Sequence, residues 1–272
     1  MKSITFIGGD SRNYAVSKMF AEEYDVYTYG LGNNSKSLQE CVEVSNYIVM
    51  PIPFSVDDEN IYAPQYDKAI KIDSLIGNLV EKTIIGGRIK EEYQKKMELN
   101  NNKVIDITKN KEFIQKNAIP TAEGVIKIII ENTDFTVDKS KIVVLGFGNV
   151  GKKISKLLYN LNADIFCYDI KKQEVANIET CGYNVLKDFD KEISIMDVIV
   201  NTVPEQILNV EKLKLIDKNT LIIDVASAPG GVDYNYSKAN GYNVIQALGL
   251  PGKIAPRTSA KYVKDIIENI IV

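Results

Sequence analysis

Apolar residues occur in short runs separated by amphipathic stretches, and the two alternate along the chain. Ile4–Ile7, Val26–Tyr29, Tyr47–Met50, Thr83–Ile85 and Val104–Ile107 are short β-rich runs that predict strands. Between them, residues 12–23, 36–43, 73–81 and 89–98 have helical spacing. This alternation predicts a parallel sheet with crossover helices. Residues 57–65, with Pro64 inside and two prolines shortly before, read as an irregular loop.

A different element opens at Pro120, a residue suited to a first helical turn. Through Asn132 it is apolar on nearly all faces (Val125, Ile126, Ile128, Ile129, Ile130), as a connector helix between two domains would be. From Lys141 the pattern restarts. Ile142–Leu145 and Ile165–Tyr168 predict strands, with Val150, Ile154, Leu157, Leu158 and Leu161 at helical spacing between them, and further strands are predicted at 183–186, 197–201, 220–225 and 243–246. The last helix, Thr258 to Ile271, carries an apolar stripe at 262, 263, 266, 267 and 270. The expected fold class is α/β, with two doubly wound parallel-sheet domains facing a cleft. Residues 1–118 form a substrate-side domain and 119–257 a Rossmann dinucleotide-binding domain with its leading connector helix. The final helix, 258–272, packs back on the first domain.

Composition narrows the chemistry by what it lacks. The net charge of −3 creates no basic field for nucleic acid or an anionic membrane. No run of about 18 apolar residues is present to span a bilayer. The opening MKSITFIGGD is too short and too glycine-broken for a signal peptide, so a cytoplasmic protein is expected. There is no histidine, which excludes Ser-His-Asp and Cys-His catalysis, histidine-bound metals and an imidazole acid or base. Cys41, Cys167 and Cys181 are too scattered for a CxxC or zinc site and read as small apolar fillers, so no metal is expected. Arginine occurs only at 12, 88 and 257, each time beside a turn-like segment. Its planar fork suits bidentate binding of carboxylate or phosphate in a way lysine does not.

The strongest motif is Gly146-x-Gly148-x-x-Gly151, which follows an apolar strand and opens an amphipathic helix. Gly146 permits the tight turn, Gly148 lets a pyrophosphate approach the backbone, and Gly151 lets helix and strand pack closely. With Asn149 and Val150, these residues present a helix N-terminus to the phosphates. Asp169 ends the next strand, where a carboxylate accepts from ribose hydroxyls and repels a 2′-phosphate. That favours NAD, although Lys171 and Lys172 follow at once and could hold the phosphate of NADP. Thr202, Pro204 and Ser227 close later strands, as nicotinamide-pocket residues or as ordinary turn residues.

The first glycine turn, Gly8-Gly9-Asp10-Ser11-Arg12, lacks the second half of the fingerprint. Ser11 and Arg12 at a helix start suit a small anion such as a substrate carboxylate, the alternative being Arg12 on a solvated helix face. The segment from Gly249 to Thr258 either delivers Arg257 to a helix start or serves as a rigid linker.

Several segments together resemble the A subunit of dipicolinate synthase: Gly8 to Arg12, Ala118-Ile119-Pro120-Thr121-Ala122-Glu123-Gly124, Thr133 to Thr136, the Gly146–Gly151 loop, Ala226 to Gly231, and Gly249 to Pro256. The resemblance runs through essentially the whole chain. It implies one component of the enzyme that forms pyridine-2,6-dicarboxylate in the mother cell of sporulating bacteria. The implied reaction oxidises a dihydrodipicolinate-type ring with NAD or NADP, and the implied partner is a flavoprotein-like B subunit. Where a basic residue after the second strand would suit NADP, this chain has Asp169-Ile170, so both cofactors stay open. A dicarboxylate needs cationic or N–H-rich sites. The substrate-binding candidates are Ser11, Arg12, Arg88, Thr121, Ser227 and Arg257. The candidate proton acceptors are Glu123 and then Asp10, with Glu123 alternatively favouring a helix N-terminus electrostatically. A homo-oligomer is compatible with the sequence. So are two other functions: a cofactor-binding regulatory or structural subunit, or a related two-domain dehydrogenase of another small carboxylate.

Overall fold

A computed structural model describes residues 2–34 and 36–271; Met1, Ser35 and Val272 of the expected domain ranges lie outside the described residues. The chain divides into two compact units, residues 1–116 with 255–272, and residues 117–254.

Unit 1 alternates strands and helices: β1 (Ser3–Ile7), α1 (Ser11–Phe20), β2 (Asp25–Tyr29), α2 (Leu38–Val44), β3 (Tyr47–Val49), α3 (Ile72–Asn78), β4 (Thr83–Gly86), α4 (Glu91–Glu98) and β5 (Lys103–Asp106). The described residues form a five-stranded parallel sheet in the order β2-β1-β3-β4-β5. Its strands are near-continuous apolar runs because both faces are covered. Ile4, Phe6, Val49 and Ile85 enter one core, and Ile7, Ile48, Met50 and Ile84 enter the other. A long helix, α5 (Lys111–Asn132), follows.

Unit 2 contains β6 (Lys141–Leu145), α6 (Asn149–Asn160), β7 (Asp164–Tyr168), α7 (Lys172–Thr180), β8 (Asn184–Val185), α8 (Phe189–Glu192), β9 (Val198–Asn201), α9 (Val210–Leu213), β10 (Leu221–Asp224), α10 (Tyr234–Ala239), β11 (Val244–Gln246) and α11 (Leu250–Ile254). Its described strands form a six-stranded parallel sheet in the order β11-β10-β9-β6-β7-β8. The period-2 side-chain alternation is plain in β6: Ile142 and Val144 enter the core beneath α6, while Val143 and Leu145 enter the opposite one. The expected fold class, two doubly wound parallel sheets, holds, and each predicted strand is present.

Two local expectations do not hold. Pro120 lies inside α5 rather than at its first turn, because the helix already begins at Lys111. The flanking sequence has strong helix formers, and the N–H that Pro120 lacks costs one ladder bond without ending the helix. Cys181 is exposed at the end of α7, so it is no filler, whereas Cys41 and Cys167 are buried. The segment from Gly249 to Thr258 does bring Arg257 to a helix start, in the first turn of the last helix, and within it residues 250–254 form the helical turn α11. Leu250 and Ile254 pack on Gly124 so closely that a side chain at 124 would lie 3.0 Å from each. Two of the motif segments thus meet inside unit 2.

The last helix, α12 (Pro256–Ile271), packs on α1 within unit 1 and buries Ala260, Val263, Ile266, Ile267 and Ile271. Ile267 is fully buried, so Ile267→Ala should destabilise unit 1 by about 2–5 kcal/mol, read as a lower urea midpoint. Among the described residues no helix is long and apolar enough to cross a membrane.

Candidate functional site

In unit 2 the strand order reverses between β6 and β9, and ligands of such sheets lie outside the carboxyl ends of the strands at that point. The Gly146–Gly151 loop leaves β6 there. Gly146 has a φ of +90°, and a side chain on it would meet Thr202 Oγ1 at 2.5 Å. The Thr202 hydroxyl donates toward the Leu145 and Gly146 carbonyl oxygens, at 2.9 and 3.2 Å, and so ties the end of β9 to the turn. Gly151 is tighter still, because a Cβ there would lie 2.0 Å from the Gly146 carbonyl oxygen.

Gly148 differs from both. It is exposed, and a Cβ on it would meet nothing within 4 Å. Its φ of −78° suits any residue, so neither conformation nor internal packing requires glycine there. Gly148 is also the N-cap of α6, and among the described residues it makes no side-chain capping bond. Asn149 is exposed and Val150 half-buried on the first turn. An open backbone, N–H groups at a twelve-residue helix start and the positive end of the helix dipole fit a diphosphate.

Asp169 is held beside this loop. Its Oδ2 accepts from Phe147 N at 2.9 Å and its Oδ1 from Lys171 N at 2.9 Å. The carboxylate is therefore fixed in direction while remaining half-exposed. Lys152 bridges from α6 to Glu174 on α7 at 2.6 Å, and that lysine holds the Glu174 carboxyl below its ordinary value.

At the ends of β9 and β10 lies a buried polar hub that sequence reasoning missed. Asp224 and Asn201 are both fully buried. Asp224 accepts from Ala226 N (2.9 Å), Gly231 N (2.7 Å), Asn201 Nδ2 (3.0 Å) and Tyr234 Oη (2.6 Å). Burial, and then the Asp224 carboxylate, push the Tyr234 hydroxyl well above its ordinary value. The hub fixes both ends of the exposed loop Ser227-Ala228-Pro229. Its only sequence signal is an aspartate ending an all-apolar strand.

The remaining candidates fall in both units. Pro204 and Ser227 are exposed in unit 2. Thr121 is buried there, its hydroxyl donating to Asn117 O one turn back. Glu123 is exposed in the middle of α5, so it does not stand at a helix N-terminus. In unit 1, Asp10 caps α1 by accepting from Arg12 N at 3.0 Å, and Ser11 is the exposed first residue of that helix. Arg12 is only 6% exposed, which rules out the solvated-face alternative. Arg88 is exposed, with its backbone N donating to Asp106 Oδ1, and Arg257 is exposed at the start of α12.

Comparison with known proteins bears on both units. Residues 3–108 match the family model of the N-terminal domain of the dipicolinate synthase A subunit. Residues 127–232 match that of the D-isomer specific 2-hydroxyacid dehydrogenase NAD-binding domain. The dipicolinate synthase A subunit of Bacillus subtilis is 27% identical, over 98% of this chain and 95% of its own. The chain is thus similar to the dipicolinate synthase A subunit along almost its whole length. The crystal structure of the Bacillus subtilis protein superposes with a TM-score of 0.86 at 25% identity, covering 99% of this chain and 95% of that one. The corresponding structure from Bacillus halodurans gives 0.88 at 23% identity, covering 99% and 97%, and speaks to the fold. Unit 2 is a nicotinamide-dinucleotide-binding domain of the dehydrogenase type, with the Gly146–Gly151 loop at its switch point.

Proposed function

We propose that this chain is the dehydrogenase subunit of a dipicolinate synthase, oxidising a dihydrodipicolinate-type ring to pyridine-2,6-dicarboxylate. The observation that carries the reading is a dehydrogenase-type dinucleotide domain joined to an N-terminal domain of the dipicolinate synthase family. When bound, the dinucleotide supplies a nicotinamide ring that takes up a hydride. The protein's own residues bind and orient. The α6 N-terminus and the bare Gly148 backbone would hold the diphosphate, and Asp169 would accept from the ribose. Thr202 and the Ser227 loop would border the nicotinamide end.

Loss of one hydride and one proton makes the ring aromatic, so the step is downhill and depends chiefly on proximity. The proton acceptor in this histidine-free chain is a carboxylate, a lysine or water. Glu123 is the first candidate because it is exposed in unit 2. Asp10 is demoted by its capping role. The partner in this reading is a B subunit, and the setting is the cytoplasm of a sporulating mother cell. The test is nicotinamide reduction by the purified chain, with its B subunit, on dihydrodipicolinate. Absence of reduction under every pairing contradicts the reading.

NAD is the cofactor favoured over NADP in this reading, because the direction-locked Asp169 carboxylate would repel a 2′-phosphate and accept from a 2′-hydroxyl. Asp169→Ser should weaken NADH binding roughly tenfold to a hundredfold, the loss of a charge-assisted hydrogen bond. It should also improve NADPH binding. Competition titration with the two cofactors reads both, and an unchanged NADH-to-NADPH ratio rejects this role for Asp169.

A further inference from the structure

In unit 1 the strand order β2-β1-β3-β4-β5 places a topological switch point between β1 and β3. Sheets of this order bind ligands outside the carboxyl ends of those two strands. Here the turn Gly8-Gly9-Asp10 leaves β1 and the segment Pro51-Ile52-Pro53 leaves β3. Arg12 spans the gap, its Nη2 donating to the Ile52 carbonyl oxygen at 2.5 Å.

Two donors at this point are unsatisfied. Arg12 Nε and Asn13 Nδ2 are buried and, among the described residues, find no hydrogen-bond partner. Their residues are 6% and 2% exposed. The Asn13 carboxamide lies directly over the Cα of Gly9, where a Cβ would sit 2.6 Å from Nδ2, so it faces the turn that opens α1. Native interiors pair almost all such groups. Both groups are donors, they belong to adjacent residues, and they stand at the positive end of a ten-residue helix.

The charges agree with an anion. Asp10 is the carboxylate facing Arg12, but its Oδ2 stands 3.9 Å from Nη2, beyond hydrogen-bond length. Its other oxygen is taken by Arg12 N. Arg88 adds a second positive charge. Burial, opposed by Asp10 and reinforced by Arg88, lowers the Arg12 pKa, and the opposite charge of a bound anion would offset both unfavourable contributions.

We infer that unit 1 carries its own carboxylate-binding subsite at the β1/β3 switch point, formed by Arg12 Nε, Asn13 Nδ2 and the N-terminus of α1. A planar group with two acceptor oxygens matches the fork of a guanidinium joined by a carboxamide. The donors define the carboxylate; that it belongs to a ring dicarboxylate rests on the proposed function. Asn13 thereby becomes a substrate-binding residue beside Arg12.

The scarcity of arginine gives a direct test. Three arginines yield at most three Nε–H signals in a proton–nitrogen correlation spectrum of the full chain. Arg88→Lys and Arg257→Lys assign the Arg12 signal by elimination. Adding dipicolinate should move that signal in a saturable way, and inorganic phosphate should not. Asn13→Asp, nearly isosteric, should weaken dipicolinate binding about tenfold or more while leaving NADH affinity unchanged. The inference is overturned if neither dipicolinate nor picolinate moves the Arg12 signal, if phosphate moves it equally, or if folded Asn13→Asp binds dipicolinate as tightly as the parent. The spectrum of the unsubstituted chain decides the matter if the variant does not fold. An equal response to picolinate and dipicolinate supports the subsite while counting against the dicarboxylate of the proposed function.

Discussion

Gly151→Ala should lose both dinucleotide binding and stability, whereas Gly148→Ala should lose binding alone. The two glycines share one motif but answer to different constraints. A Cβ at 151 would stand 2.0 Å from the Gly146 carbonyl oxygen, a backbone atom that cannot rotate away. Either α6 or the loop must move, at a cost of about 1–3 kcal/mol or more for overpacking. The backbone proposed to bind the diphosphate is displaced with it, so NADH affinity should fall at least about thirtyfold. At 148 a Cβ meets no protein atom, so the melting temperature should hold. Affinity should still fall, because the methyl group occupies the line along which a phosphate approaches. Fluorescence titration with NADH and thermal unfolding of both variants separate the cases. Equal melting temperatures for Gly151→Ala and the parent would contradict the packing role of that residue.

The second large effect is expected at Asp224→Ala, which no functional motif would nominate. The substitution strips four donors of their acceptor: two backbone N–H groups, the Asn201 carboxamide and the Tyr234 hydroxyl. Each buried orphan costs roughly 1–3 kcal/mol, so a loss of about 4 kcal/mol or more is expected even after relaxation. That is a large share of the 5–15 kcal/mol typical of a domain. Tyr234→Phe removes one donor and keeps the acceptor occupied by three, so about 1 kcal/mol is expected. Urea denaturation, followed through the transition that NADH shifts upward, measures both. The hub assignment fails if Asp224→Ala costs no more than Tyr234→Phe.

The contrast between these two sites shows what the sequence carries. The glycine loop was legible because its demands are local: a strand, a turn, a helix start and an acid at the next strand end all lie within one stretch of chain. The strands were legible for the same reason, since fully buried parallel strands such as β9 and β10 are unbroken apolar runs. Asp224 and Asn201 were not, because their role arises only where two strand ends and a returning loop converge. Arg12 was noticed for its chemistry, but not its burial or its bond to Ile52, which depend on β3 lying next to β1. Asn13 gave no signal beyond being polar near a helix start. Pro120 misled because a proline's preference for the first turn is a tendency, and the residues from Lys111 onward sustain the helix around it.

The central claim of the proposed function is that a nicotinamide held by unit 2 would take a hydride from the ring substrate, and isotope transfer tests it most directly. Dihydrodipicolinate deuterated at its tetrahedral ring carbons would be supplied to this chain with NAD, in the presence of the proposed B subunit. The account predicts one deuterium recovered at C4 of the reduced nicotinamide for each pyridine dicarboxylate formed, a second released to solvent as the proton, and the remaining label kept on the aromatic ring. Formation of labelled-substrate product with no deuterium on the nicotinamide would contradict it.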